Sequence, residues 1–217
     1  GRSYPERESL ASVIGFVGDD GRGLTGVEYT MDSWLRPDGT DGYGNQVFLT
    51  VDMNIQYESE RLCRHALQTY NPDSVMLLTM DARTGDLLGY ASLPSFDPNQ
   101  FRDYSESQRR NLPIATVYEP GSVFKIFSVG SFLQLGAIDM ESTYATTGLY
   151  RGTEPPIRDL ANYGTIDTTG ILRLSSNVGA AIASERVSER SFYNMLRLFG
   201  FGDETGVDLN GEEAGLL

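Results

Sequence analysis

Tyr118-Glu119-Pro120-Gly121-Ser122-Val123-Phe124-Lys125, continued by an apolar run to Leu135, is the stretch on which the reading turns. Pro120 and Gly121 interrupt whatever precedes them, and Ser122 stands where a helix starts. Beyond it Val123, Phe124, Ile126, Phe127, Val129, Phe132, Leu133 and Leu135 leave almost no polar face, the pattern of a buried helix. Residues three apart on a helix share a face, so Ser122 and Lys125 are expected to meet on the first turn of a helix that runs into the core. The lysine is the informative member. Of 17 basic residues it is the sole lysine, and all the others are arginine. Arginine does not give up its proton in a protein. A partly buried lysine can have its pKa lowered until it acts as a base, and a neutral amine beside a hydroxyl makes a nucleophile without histidine. Taken alone, the Ser-x-x-Lys spacing is equally well a capping serine and a chance lysine.

Composition removes other chemistries. The 217 residues suffice for one large domain, or for one domain with a small appendage, and 40% hydrophobic with 11% aromatic content supplies a core. No window holds 18 consecutive apolar residues, so no membrane span is expected in this stretch. Gly1-Arg2-Ser3 does not open a charged-then-apolar leader, and any anchor is expected upstream. A net charge of −13, with acids and bases mixed along the chain, argues against nucleic acid and against adhesion to an anionic membrane surface. One cysteine and one histidine cannot build a zinc site of the usual kind, so no metal is expected. Cys63 and His65 are two apart on an expected helix and point in different directions. No G-x-S-x-G elbow is present to make His65 part of a triad. Cys63 reads as a small core residue, and no disulfide is available.

In chain order, residues 1 to about 46 read as an irregular, glycine- and charge-rich segment with one or two short strands. Asp38-Gly39 and Asp41-Gly42 are turn signals there. A strand from Gln46 to Val51 leads to Asp52 as an N-cap. Ile55, Ser59, Leu62, Cys63, Ala66 and Leu67 then form the apolar stripe of a helix to about Thr69. Val75 to Met80 reads as a buried strand, Arg83-Thr84-Gly85 as a turn and Asp86 to Ser92 as the return strand of an antiparallel hairpin. Two prolines keep Leu93 to Asn99 from any regular element, and Ser105 to Arg110 reads as a short polar helix. Gly136 ends the central helix. Residues 139–170 read as a long loop with short pieces. Ser175-Ser176-Asn177 precedes a small-residue helix to Ala183, and a further helix runs from about Ser191 to Phe199.

Several ordered motifs then point one way. A serine followed at three by lysine, and a later Ser-x-Asn, belong to the motif set of penicillin-binding proteins and related β-lactamases. The sequence resembles the class B penicillin-binding proteins, the single-function peptidoglycan D,D-transpeptidases. The likeness rests on Arg2-Ser3-Tyr4-Pro5, Ile14-Gly15-Phe16-Val17-Gly18, Gly23-Leu24-Thr25-Gly26-Val27-Glu28 and Leu49-Thr50-Val51-Asp52 with Ile55-Gln56. It continues through Thr84-Gly85, Phe96-Asp97-Pro98-Asn99, Tyr118 to Ser122, Ser175 to Gly179 and Phe199-Gly200-Phe201-Gly202. The Glu-Pro-Gly before the serine leans toward the septal branch.

The resemblance implies an α/β chain of α+β type, the penicillin-binding protein/β-lactamase-like transpeptidase fold, with an antiparallel sheet and helices on both faces. It implies residues 1–46 as the end of an upstream non-catalytic region and 47–217 as the first part of the transpeptidase domain. Ser122 would be the acyl-forming nucleophile and Lys125 its proton acceptor. Ser175 would relay a proton to the leaving amine, Asn177 would hold the donor amide, and the Ser122 N–H would be half of an oxyanion hole. No Lys-Thr-Gly or Lys-Ser-Gly occurs, and the chain ends 40 residues past Asn177. A fragment that stops before that strand is therefore expected, one that does not cross-link peptidoglycan by itself. The resemblance further implies stem peptides ending in D-Ala-D-Ala and β-lactams as ligands, and no cofactor. Glycan-polymerising and division or elongation membrane proteins would be partners. Location would be the extracytoplasmic face of the cytoplasmic membrane. A β-lactamase or D,D-carboxypeptidase of the same superfamily, and a non-catalytic penicillin-binding sensor or scaffold, remain open alternatives.

Overall fold

Asp52 supplies the strongest start signal of the first half: its carboxylate accepts the Asn54 and Ile55 amides, and α4 (Met53–Tyr70) follows. The computed structural model describes residues 2–37 and 44–217, so the Asp38-Gly39 and Asp41-Gly42 turn signals lie outside the described residues. Two compact units emerge, one of residues 1–116 with 206–213, the other of 117–205 with 214–217.

In the first unit α4 packs on the antiparallel hairpin of β1 (Val75–Met80) and β2 (Leu87–Leu93). The hairpin and the Asp52-capped helix agree with the sequence reading. Cys63 is buried against Ala91 and Leu93, as expected of a core thiol, while His65 is exposed. β1 is not buried on both faces: Met76, Leu78 and Met80 are exposed, and the alternate residues meet α4. The stripe of α4 is also rotated from the expected one. Gln56, Ser59, Glu60 and Cys63 are buried, and Leu62 is exposed. The cause is a polar lock. Gln56 accepts the Tyr90 N–H at 2.7 Å and donates to the Tyr90 carbonyl at 3.0 Å and to Glu60 at 2.7 Å. A side-chain amide thus does at the free edge of β2 what a neighbouring strand would do.

The strand expected at Gln46–Val51 does not form. That segment follows β2 through one backbone bond, Asp52 N–H to the Leu88 carbonyl, and one from the Thr50 hydroxyl to the Leu87 carbonyl, with Phe48 left exposed. Residues 2–37 hold short helices instead of strands: α1 (Ala11–Ile14), α2 (Gly26–Thr30) and α3 (Asp32–Leu35), with one β-bridge between Val17 and Gly23. Close backbone approach explains the glycines. A Cβ on Gly15, at φ +76°, would lie 1.9 Å from the Thr25 carbonyl oxygen. Phe16 stacks on Phe101 with ring centroids 4.4 Å apart and meets Phe96 edge-on. Pro98 does not prevent a regular element. It opens a 3-10 segment, Pro98–Asp103, kinked at Gln100, at the position where a missing N–H loses nothing, with Asp97 as cap. Ser105 caps α5 (Glu106–Arg109) in a capping box, and α6 (Leu112–Ala115) follows.

The second unit begins with a 3-10 turn, Gly121–Phe124, that feeds α7 (Lys125–Gln134). Gly136, at φ +65°, ends it: Gly136 N–H bonds the Leu133 carbonyl and Ala137 N–H the Phe132 carbonyl. α7 is not apolar-buried all round. Val129 and Phe132 enter the core, Phe124 and Phe127 pack against Phe199 and Phe201, and Val123 and Ile126 are exposed. The region expected as a long loop is ordered into two small hairpins. β3 (Thr143–Thr146) pairs with β6 (Gly164–Asp167), and β4 (Leu149–Tyr150) with β5 (Ile157–Arg158). Tyr144 and Ile166 bring the first of these into the core with Val129, Phe132, Ile138, Ile171 and Ala183. Strands of two to four residues, with two buried positions in β3 and one in β6, carry too little periodicity to be read locally. Then come α8 (Thr168–Arg173), α9 (Asn177–Ser184) and α10 (Glu189–Leu198). α9 sits close because it is made of small residues: a Cβ on Gly179 would be 3.0 Å from Ser176 Oγ and 3.1 Å from Ile171 Cγ1.

Candidate active site

Ser122 lies inside the 3-10 turn, not at a cap. Gly121, at φ +66°, turns the chain so that Ser122 starts the tight coil and Lys125 becomes the first residue of α7. That turn sets Lys125 Nζ 3.1 Å from Ser122 Oγ. Ser122 is exposed and Lys125 half-buried.

The second half of the site is a helix junction. α8 stops in a motif normally closed by glycine: Ser175 N–H bonds the Leu172 carbonyl and Ser176 N–H the Ile171 carbonyl. The left-handed position is occupied by Ser175, at φ +54°. Without a pause α9 begins, with Ser176 as its N-cap accepting the Gly179 amide at 2.8 Å and Asn177 as its first residue. The junction turns Ser175 and Asn177 toward the lysine. Lys125 Nζ is 2.8 Å from the Ser175 carbonyl oxygen, 3.1 Å from Ser175 Oγ and 2.6 Å from Asn177 Oδ1. Ser122, Lys125, Ser175 and Asn177, all four singled out from sequence, thus converge on one amine.

Proton counting shows what the amine can do. Four oxygens surround it, and an ammonium has three hydrogens. A neutral amine has two, enough for the Ser175 carbonyl and Asn177 Oδ1, and a lone pair left to receive a hydroxyl proton. Burial holds the Lys125 pKa below its usual range, opposed by the negative charge of Asp159. Lowering it makes the neutral state more accessible, and the equal distances to two serine hydroxyls let the amine take a proton from one and return it to the other.

Asp159 is the member that sequence reasoning missed. Its carboxylate accepts the Ser176 hydroxyl at 2.6 Å and the Asn177 and Val178 amides at 2.5 and 3.0 Å. The preceding Arg158 carbonyl accepts the Asn177 Nδ2 hydrogen at 3.1 Å. Pro155-Pro156-Ile157-Arg158-Asp159 carried no signal beyond an acid in an apparent loop.

A Ser-x-x-Lys turn facing a Ser-x-Asn junction, on antiparallel strands and helices, defines a class: serine-based penicillin-interacting proteins. The family model for the penicillin binding protein transpeptidase domain matches residues 75–217, and the chain belongs to that family. It is 32% identical to penicillin-binding protein PbpB of Mycolicibacterium smegmatis, covering 100% of this chain and 37% of that protein. It is 31% identical to peptidoglycan D,D-transpeptidase FtsI of Escherichia coli K12, covering 99% of this chain and 40% of that protein. The crystal structure of penicillin binding protein 3 from Mycobacterium tuberculosis superposes with a TM-score of 0.88 at 32% identity, over 99% of this chain and 50% of that one. A second structure of that protein, complexed with ampicillin, gives the same TM-score. The chain therefore has the penicillin-binding protein transpeptidase fold, and it spans 37 to 40% of these curated relatives' length.

Proposed function

We propose that the protein carrying this chain is a serine D,D-transpeptidase that cross-links peptidoglycan stem peptides and is acylated by β-lactams. The observation that carries the reading is the Lys125 amine, 3.1 Å from Ser122 Oγ and 3.1 Å from Ser175 Oγ, with its other two neighbours placed to accept hydrogens.

In this reading Ser122 Oγ attacks the carbonyl of the penultimate D-Ala while its proton passes to neutral Lys125. The Ser122 N–H, at the start of the coil that becomes α7, offers one hydrogen bond to the developing oxyanion. Ser175 hands the proton to the departing D-Ala amine, and Asn177 holds the donor amide. An ester on Ser122 remains, and an acceptor amine attacks it to form the cross-link. A β-lactam enters by the same attack, its ring nitrogen taking the place of the leaving amine.

Further parts of the proposal follow from family membership. Residues 1–46 close an upstream non-catalytic region, and 47–217 open the transpeptidase domain. The work is done on the extracytoplasmic face of the cytoplasmic membrane, with glycan-polymerising and division or elongation proteins as partners and a lean toward the septal branch. No described helix is long and apolar enough to cross a membrane.

A fluorescent penicillin tests the reading. Covalent labelling of the full-length protein is expected, and Ser122→Ala abolishes it. Labelling that survives Ser122→Ala refutes the assignment. The 217-residue chain alone is expected to label weakly or not at all.

A further inference from the structure

We infer that Asp159 is a positioning residue for this site: its carboxylate pins the junction of α8 and α9, so that Ser175 and Asn177 face Lys125. The inference rests on the transpeptidase reading and adds a residue to it.

Ser175 occupies a left-handed backbone position, φ +54°, that a side chain disfavours. Something must hold it there. Lys125 does so from one side, by its bond to the Ser175 carbonyl. Asp159 does so from the other, by taking the three donors that follow: the Ser176 hydroxyl and the Asn177 and Val178 amides. Both oxygens are engaged, Oδ2 by Ser176 and Oδ1 by the two amides. The amides belong to the first turn of α9, where a carboxylate also meets the favourable end of the helix dipole. With the Arg158 carbonyl on Asn177 Nδ2, one dipeptide fixes both the backbone and the side-chain amide of Asn177. The Asn177 Oδ1 is then aimed at Lys125 by a rotamer fixed on its other atom.

The carboxylate also acts at a distance. Around Lys125 the 3-10 turn presents the Ser122 hydroxyl, and the helix junction presents the Ser175 carbonyl and hydroxyl and the Asn177 amide. Directly after β5 comes the carboxylate of Asp159, the charge that bears on the lysine. Asp159 thus opposes the effect of burial on Lys125, and its removal should ease deprotonation while loosening the geometry.

Two variants separate these roles. Asp159→Ala removes the clamp and the charge. Asp159→Asn keeps an oxygen for the two amides but puts an NH₂, which cannot accept the Ser176 hydroxyl, at the other position, so it removes the charge and that one bond while keeping the hold on the backbone. The assay is the rate of fluorescent-penicillin acylation of the full-length protein from about pH 6 to about pH 10, with amide hydrogen exchange read at Asn177 and Val178. Asp159→Ala is expected to slow acylation about 100-fold, the scale of a roughly 1 Å misplacement, and to expose both amides to exchange. Asp159→Asn should keep the protection, lose less rate, and move the acidic limb of the profile to lower pH. Wild-type rate or protection in Asp159→Ala overturns the inference, as does an Asp159→Asn profile that superimposes on the wild type. If the alanine variant does not fold, the asparagine profile decides. Failure of the wild type to label at Ser122 is a different result: it overturns the transpeptidase reading, while the exchange data still report on the clamp.

Discussion

The amine of Lys125 and the side-chain oxygen of Asn177 lie 2.6 Å apart across 52 positions of sequence. The contact needs α7 and α9 packed together, and it needs each to begin where it does. A 3-10 turn ahead of α7 puts Lys125 at its first position, and a serine cap ahead of α9 puts Asn177 at its first position. The site is therefore built from two helix starts, and it is sensitive to whatever shifts either of them.

Replacing the lysine tests its chemistry apart from its charge. Lys125→Arg keeps a cation beside Asn177 but cannot supply a neutral base. Lys125→Arg and Lys125→Ala should both lower the acylation rate of Ser122 by about 10²- to 10⁴-fold, the usual range for a general base. Stopped-flow β-lactam acylation measures it. A Lys125→Arg variant that acylates at the wild-type rate would remove the lysine from the mechanism.

Ser175 should show activity and stability moving in opposite directions. Glycine relieves the left-handed backbone, worth about 1–2 kcal/mol for a residue with a side chain, whereas alanine keeps the strain. Both lose the hydroxyl. Ser175→Gly is expected to be the more stable of the two by about 1 kcal/mol in urea unfolding, after its extra unfolded-state entropy is subtracted. Both should be slow in acylation. Equal stability of the two variants would show that the φ +54° conformation is not costly here.

Gln56 is expected to be worth more than its surface-friendly chemistry suggests. It is fully buried and closes the β2 edge at Tyr90 with two hydrogen bonds. Gln56→Ala leaves a buried N–H and a buried carbonyl unpaired, at a cost of about 1–3 kcal/mol each, so a loss of about 3 kcal/mol is expected from denaturant unfolding. Gln56→Glu should be as damaging, because it cannot donate to the Tyr90 carbonyl and brings a second carboxylate to Glu60.

Tyr4 sets an alkaline limit for the first unit. Burial, reinforced by the charge of Glu28, raises its pKa to about 12, and burial also raises that of Tyr90. A raised folded-state pKa means that the unfolded chain loses the proton first. The stabilisation is therefore intact below the unfolded value of 10.0 and is lost as pH rises toward about 12. Urea titrations should show stability falling through that window. Tyr4→Phe should flatten part of the fall, while lowering stability below it by about 1 kcal/mol through loss of the hydrogen bond from Val17 N–H. A Tyr4→Phe curve parallel to the wild type would contradict the assignment.

Some of this molecule was fixed by near neighbours in the chain. Asp52 before an amphipathic run, Thr84-Gly85 between two apolar runs, Gly136 after one and Ser122 three before Lys125 each act within a few residues, so order along the chain was enough to read them. The Ser175-Ser176-Asn177 motif was legible as an ordered partner of Ser-x-x-Lys, although its backbone was not. Folding decided the rest. Tyr144 and Ile166 became core residues only when β3 met β6, and Gln56 became an interior residue only when β2 offered it an unpaired edge. Asp159 gained its meaning from amides 18 and 19 positions away. Hydrogen bonds and burial between distant segments leave no periodic trace in either segment, because each is satisfied by a partner that local sequence does not contain.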